Sequence, residues 1–247
     1  MNKQGLAVNN QKSSSITYSD SKNVGGMLQF NRKLSTTGRN ITLKASANYS
    51  ESTSKNLSTT NVHLYQVKNA LGNDSTYQTN RYNLTPQKNW NYTTEVTYSE
   101  PIFKATFLQF RYSFQYKYSK SDRQTYDFSN LGEDFFSGLS PEYRMWDNYL
   151  GRLSSPLDTY YDDDLSRFSE YKNYIHNLEL MLRVIRKSYN LNLGVKLVPQ
   201  ETKFVQHYQG VNTDTVRNVT NITPTADFRW KISKLSQLRF NYRGTTS

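Results

Sequence analysis

Four stretches of this sequence alternate oily and watery side chains with a period of two, and that pattern constrains the fold more than any other feature. In 41–50, Ile41, Leu43, Ala45, Ala47 and Tyr49 share one parity, and Thr42, Lys44, Ser46, Asn48 and Ser50 share the other. Successive side chains of a strand point to opposite faces, so this segment has one apolar face and one polar face, whereas a helix would mix the two rows. The same split recurs in 108–119, where Leu108, Phe110, Tyr112, Phe114, Tyr116 and Tyr118 oppose Gln109, Arg111, Ser113, Gln115, Lys117 and Ser119. In 189–199, Tyr189, Leu191, Leu193, Val195 and Leu197 oppose Asn190, Asn192, Gly194 and Lys196. In 222–232, Ile222, Ala226, Phe228, Trp230 and Ile232 oppose Thr223, Thr225, Asp227, Arg229 and Lys231. Weaker alternation in 24–34, 90–98, 174–184 and 238–242 brings the candidate strands to eight.

Several of these segments run to about ten residues, longer than typical soluble strands and close to the nine to eleven that cross a bilayer at a tilt. The stretches between them alternate in length. Those at 35–40, 99–107 (with Pro101 as breaker), 185–188 and 233–236 are short, and those at 51–89, 120–173 and 200–221 are long. Outer-membrane barrels join strands by short turns at one end and long loops at the other, a segregation that a soluble β-sandwich has no reason to adopt. The expected fold is all-β, an antiparallel up-and-down transmembrane β-barrel.

With the short connections at one rim, Tyr49, Trp90, Tyr92, Tyr116, Tyr118 and Tyr174 collect at the outer membrane interface, and Tyr98, Tyr189 and Trp230 at the inner one. Rings that are apolar in body and wet at the tip suit both rims. Composition agrees: 20 Tyr and 12 Phe accompany a hydrophobic content of only 35%, too little for a conventional packed core. The opposite parity row carries Lys44, Arg111, Lys117, Arg183, Lys196, Arg229, Lys231, Arg239 and Arg243 against Glu95, Glu179 and Asp227. A closed eight-stranded barrel would bury these cations at a high desolvation cost, so the eight strands are expected to form an arc of a larger barrel.

The formal charge of +11 raises nucleic-acid binding, but Lys and Arg are spread along the chain without a stripe or a recognised motif, so no nucleic-acid partner is expected. The absence of Cys excludes disulfides and thiolate sites, and no apolar run is long enough for a transmembrane helix. Residues 1–10 lack a signal-peptide pattern. His63, His176 and His207 have no second ligand at metal-site spacing, and Asp162, Asp163 and Asp164 read as a solvated run lacking the spaced pattern of a calcium loop. No metal, cofactor or catalytic residue is therefore expected, and the chain reads as a non-enzyme. Segment 133–170, with Trp146, Tyr149, Tyr160 and Tyr161, is the candidate ligand-facing loop. Two alternatives are a secreted soluble β-sandwich that binds polysaccharide and an outer-membrane barrel hydrolase with His176 as base.

The run Asn91-Tyr92-Thr93-Thr94-Glu95-Val96-Thr97-Tyr98-Ser99-Glu100-Pro101, followed by Phe107-Leu108-Gln109-Phe110, resembles the outer-membrane β-barrel family of Bacteroidota, relatives of TonB-dependent receptors. Asn221-Ile222-Thr223-Pro224-Thr225, Phe228-Arg229-Trp230 and Leu238-Arg239-Phe240-Asn241-Tyr242-Arg243 are similar to strands in the middle of that family's barrel. The resemblance implies residence in the bacterial outer membrane and ligand binding and uptake there. Lipid, a plug domain and an energy-coupling protein are the implied partners, with a polar ligand such as a glycan or siderophore. No plug or coupling box is found in 1–247, and the final Gly244-Thr245-Thr246-Ser247 lacks the family's terminal aromatic, so the chain is expected to be a barrel-domain fragment.

Overall fold

The computed structural model describes residues 8–132, 135, 146–233 and 235–244. Eight strands follow one another: β1 (Asn9–Lys33), β2 (Asn40–Lys68), β3 (Asp74–Phe103), β4 (Thr106–Asp127), β5 (Tyr161–Ile185), β6 (Tyr189–Tyr208), β7 (Val211–Lys231) and β8 (Gln237–Arg243). They lie in one sheet in sequence order, each antiparallel to the next. Among the described residues β1 and β8 do not pair with each other, so the sheet is open. A sandwich needs a second facing layer. The single sheet overturns that alternative.

Register carries the alternation across the whole sheet. Leu43 stands opposite Phe30 on β1 and Val96 on β3, Val96 opposite Tyr112, Tyr112 opposite Leu178, Leu178 opposite Leu197, and Leu197 opposite Ile222. A slip of one residue would turn a strand's apolar row to the other face, so hydrophobic matching pins this alignment. The apolar rows of all eight strands merge into one belt on one face, and the Lys, Arg, Asn and Ser rows cover the other.

The strands are much longer than the alternation indicates; β2 has 29 residues and β3 has 30. The expected loops at 51–89 and 200–221 are corrected to strand extensions. The first closes on a turn in which the Asn69 N–H donates to the Asn73 carbonyl at 2.9 Å. The second closes on Gln209-Gly210, with φ of +51° and +71°, the left-handed pair that the tightest hairpin turns require. β1 likewise starts at Asn9 instead of near Val24. In these extensions Ser, Thr and Asn occupy both faces, so periodicity disappears while backbone pairing continues. Cross-strand bonds such as Asn56 to Thr17 at 2.7 Å and Ser13 with Thr60 at 3.1 Å add to the ladder. Only 128–160 remains a long connection, so the strict alternation of short and long links is not observed.

At the proximal end, where the short links lie, Pro101 stays within β3 beside a pairing irregularity that tolerates its missing donor. The β3–β4 turn is Lys104-Ala105 alone, with Ala105 at φ +51°. The Arg186 guanidinium ties this turn to the β5–β6 link, donating to the carbonyls of Lys104 and Ala105 at 3.0 Å each and to Thr106 Oγ1 at 3.1 Å. Gly38, at φ +107°, lets the β1–β2 turn pass Phe107, whose ring edge would sit 3.0 Å from any added Cβ.

A small core lies at the other, distal end, on the same face as the apolar belt. Ile16, Leu57, Tyr82 and Tyr126 are successive register partners across β1–β4, and they are buried together with Phe128 and Tyr149. The cover comes from the 128–160 connection, through Leu131, Phe135, Leu150, Leu153, Leu157 and Tyr160. Asn80 fastens it: its carbonyl accepts the Phe128 N–H at 2.8 Å and its own N–H donates to Ser129 Oγ at 3.2 Å.

Candidate functional site

The apolar belt is bare. Leu28 is 79% exposed and Phe240 58%, and Phe30, Leu43, Phe110, Leu180, Leu193, Val195, Ile222 and Trp230 are also exposed. From Leu108 to Tyr118 on β4 the belt spans ten residues, roughly 34 Å along the strand and about 26 Å in height at a 40° tilt, matching the apolar band of outer-membrane barrels.

Along its distal border the predicted aromatics form a connected line. Tyr49 and Trp90 lie 4.2 Å apart by ring centroid, Trp90 and Tyr92 6.0 Å, Tyr92 and Tyr116 6.1 Å, and Tyr116 and Tyr174 5.1 Å. Tyr118 stands beside the line, opposite Trp90 in register, with Lys172 Nζ 5.9 Å from its ring. Tyr98, Tyr189 and Trp230 occupy the proximal border; Tyr189 packs on Phe228 at 6.0 Å, and the three form no common contact chain among the described residues.

Sequence reasoning missed the carboxylates that hold these rings. Tyr49 donates its hydroxyl to Glu51 at 2.8 Å, Tyr118 to Glu170 at 3.0 Å, and Tyr98 to Glu100, which Arg39 also grips. The Tyr49 hydroxyl lowers the Glu51 pKa below the usual carboxylate range; Lys172 and then Tyr118 do the same for Glu170, and Arg39 and then Tyr98 for Glu100. Immediately beyond the distal aromatics come the ion pairs Glu51–Lys88 at 3.7 Å and Glu201–Lys203 at 3.1 Å. Tyr49-Ser50-Glu51 and Tyr98-Ser99-Glu100 place ring and acid on one strand face, two residues apart, so this signal was present in the sequence.

Hollows on the polar face among the described residues include a distal and a proximal one. The distal one, of about 420 Å³, includes Asn23, Asn48, Asn89, Asn91, Lys117 and Tyr171, with Gln115 donating to Asn91 at 3.1 Å. The proximal one, of about 830 Å³, lies over β5–β8 and is lined by arginines. Two of the cations expected on this face are neutralised: Arg111 pairs with Glu179 at 3.1 Å, and Arg239 grips Asp227 at 2.9 and 3.2 Å.

Of the residues expected in a ligand-facing loop, Tyr149 and Tyr160 pack inward. Tyr149 is only 5% exposed, and Tyr160 stands edge-on to Phe128 at 5.2 Å, so both rings serve the distal core instead of facing outward to a ligand. Tyr161 opens β5, exposed and edge-on to Tyr126. Trp146 begins a 3-10 turn to Arg152, and its side chain lies outside the described residues, as do Glu133 and most of 134–145.

His176 sits within the belt. Its Nδ1 shares a hydrogen bond with the Tyr112 hydroxyl, 2.9 Å away, and its ring lies 5.0 Å from Phe114. Its ring partners are therefore aromatic, with no nucleophile or orienting carboxylate bonded to it among the described residues. Asp162 accepts the Leu165 N–H at 2.9 Å, Asp163 faces His207 at 3.3 Å, and no group of three or more metal-ligating side chains converges among the described residues.

No family model matches the chain, and no curated protein does. Among solved structures it is similar to the ferric citrate transporter FecA in unliganded form, at 14% identity and a TM-score of 0.42, covering 83% of this chain and 27% of that one. It is also similar to the alcaligin outer-membrane receptor FauA from Bordetella pertussis, at 11% identity and a TM-score of 0.42, covering 96% of this chain and 43% of that one. The chain therefore spans less than half the length of either receptor.

Proposed function

We propose that this chain is a lipid-facing arc of a bacterial outer-membrane β-barrel, of the TonB-dependent-receptor-like kind, that takes part in binding and uptake of a polar ligand and catalyses no reaction. One observation carries the reading. On a single face of a single sheet, Ile16, Leu57, Tyr82 and Tyr126 of β1–β4, distal to the charged collar, are covered by residues of the β4–β5 connection, whereas the belt proximal to the collar has no such cover among the described residues. Exposed apolar area on this scale is unfavourable in water and favourable against acyl chains. Lipid is the cover that the belt's height fits.

On this reading Tyr49, Trp90, Tyr92, Tyr116, Tyr118 and Tyr174 lie at the outer headgroup level, and Tyr98, Tyr189 and Trp230 at the inner one. The hydroxyls of Tyr49, Tyr118 and Tyr98 reach carboxylates on the water side, and the ring bodies of all nine reach hydrocarbon. The open edges of β1 and β8 are closed by further strands, since unpaired backbone groups are not tolerated in the hydrocarbon layer. The polar face then lines a lumen, where a plug domain and an energy-coupling partner would act with it.

The test is reconstitution. The chain is expected to need detergent or lipid to remain soluble, to show heat-modifiable gel mobility, and to have Trp90 and Trp230 fluorescence quenched by lipids brominated on the acyl chain near the carbonyl. A folded, soluble monomer in plain buffer would overturn the reading.

A further inference from the structure

The proximal hollow of the polar face is lined by four arginines. Arg183 on β5, Arg229 on β7, and Arg239 and Arg243 on β8 line it, against the carboxylates of Glu179 and Asp227. Both acids are already engaged, Glu179 by Arg111 and Asp227 by both arms of Arg239. Arg183, Arg229 and Arg243 make no ion pair among the described residues.

Register places them close together. Arg229 stands directly opposite Arg239, Arg183 opposite Asn192, and Arg243 opposite Thr225. With strands ~4.8 Å apart and same-face neighbours ~7 Å apart, the three free guanidiniums spring from a patch roughly 10–15 Å across, within reach of one solute. Like charges directly opposed on neighbouring strands destabilise a sheet. Between them stand Asn190, Asn192 and Asn241, short polar side chains that leave the hollow open, and the Asn190 Oδ1 atom is buried without a hydrogen-bond donor.

We infer that this hollow is a binding site for a multivalent oxyanion, a small solute bearing two or more carboxylate or phosphate groups. Guanidinium groups present planar forks that match both oxyanions in bidentate geometry. Three of them without internal partners call for more than one negative charge. The volume of about 830 Å³ exceeds what a single inorganic ion fills and falls in the range of small-molecule sites. The site belongs to the polar face and stands whether or not lipid covers the other one.

The experiment is calorimetric titration of the full chain, in detergent micelles or in buffer if it is soluble there, with pyrophosphate and, separately, tricarballylate. Saturable binding of either supports the site and identifies its oxyanion class. Each single change, Arg183→Gln, Arg229→Gln or Arg243→Gln, is expected to weaken binding ~10-fold, and the triple change to abolish it, as expected for loss of charge-assisted bonds. The double change Lys44→Gln/Lys117→Gln, elsewhere on the polar face, should leave affinity within about twofold if attraction is local and not a diffuse field. Far-UV circular dichroism confirms that each variant keeps its strands, and the single variants remain informative if the triple one does not fold. No binding of either probe, a triple variant that binds as the parent does, or a lysine pair whose loss weakens binding as much as the triple change would each overturn the inference. Solubility without detergent would defeat the membrane reading and leave this titration unaffected.

Discussion

The distal and proximal halves of the sheet share a face, a register and a set of strands, yet treat apolar side chains in opposite ways. Distally, Leu57 is 1% exposed and Phe128 0%, packed beneath 3-10 turns from one long connection. Proximally, the same face presents Leu, Val, Phe and Trp to the outside with no protein over them. The boundary is the line from Tyr49 to Tyr174, with Glu51, Lys88, Glu170 and Lys172 just beyond it. A protein bathed uniformly by water would be expected to cover both halves or neither. On the proposed reading the difference reflects two solvents, water above the collar and hydrocarbon below it.

Removing the distal cover should produce the largest effect. Phe128→Ala deletes a fully buried ring and is expected to cost ~3–5 kcal/mol locally. The 128–160 segment should become sensitive to trypsin, which can cut at Arg152, while lipid quenching of Trp90 stays as in the parent. Loss of both together would mean that the two halves form one cooperative unit and would break the comparison.

A matched pair on β6 sharpens it. Val195 in the belt and Val205 beyond the collar are on the same strand and the same face, 45% and 37% exposed. In lipid vesicles Val195→Arg should cost ~2–4 kcal/mol near mid-belt. Val205→Arg should stay within ~0.5 kcal/mol, as for an ordinary surface change. Urea unfolding from vesicles measures both, and equal costs would remove the argument for a second solvent. Smaller still is the proximal clamp. Arg186→Lys keeps the charge but loses the fork that binds two carbonyls and a hydroxyl, and a loss of about 1–2 kcal/mol is expected by the same measurement.

The same two environments explain what the sequence made legible. Where one face meets an apolar medium and the other a polar one, parity separates cleanly, so the rows Ile41–Tyr49 and Leu108–Tyr118 could be read and fell on one face as expected. Above the collar both faces meet water or polar groups, and the alternation vanishes, although Ser14, Thr17, Thr59 and Thr60 still pair in the ladder. The extensions were invisible for that reason, not because they lack order. Isolated apolar residues such as Ile16, Leu57 and Tyr82, eight positions beyond Val24, Tyr49 and Trp90 along their strands, were the trace left in the sequence, and they keep the belt's parity. The role of Tyr149 and Tyr160 could not be read locally, because it depends on a connection folding back across three hairpins' worth of sheet. The contacts of Tyr49 with Glu51 and Tyr98 with Glu100 were readable, since ring and acid share a face two residues apart, whereas that of Tyr118 with Glu170 depends on strand register.

The finest probe of the distal half is the imidazole of His207 near the β6–β7 turn. The His207 Nδ1–H donates to Asn212 Oδ1 at 2.7 Å and the Nε2–H faces Asp163 Oδ2 at 3.3 Å, so both ring nitrogens meet acceptors and the imidazolium is favoured. The pKa is raised, first by Asn212 and then by Asp163. A raised value means that the tie between this turn and the start of β5 is fully present below the ordinary histidine value and is lost as pH rises through the folded one. Histidine proton NMR should give His207 a pKa above that of an unpaired imidazole, with Asn212→Ala lowering it more than Asp163→Asn. Hydrogen exchange at Val211 and Asn212 should quicken as pH rises through that value, beyond the base-catalysed increase expected at the β3–β4 turn. A normal His207 pKa would show that water competes successfully for both acceptors, and this corner of the distal half would then be held by the backbone ladder alone.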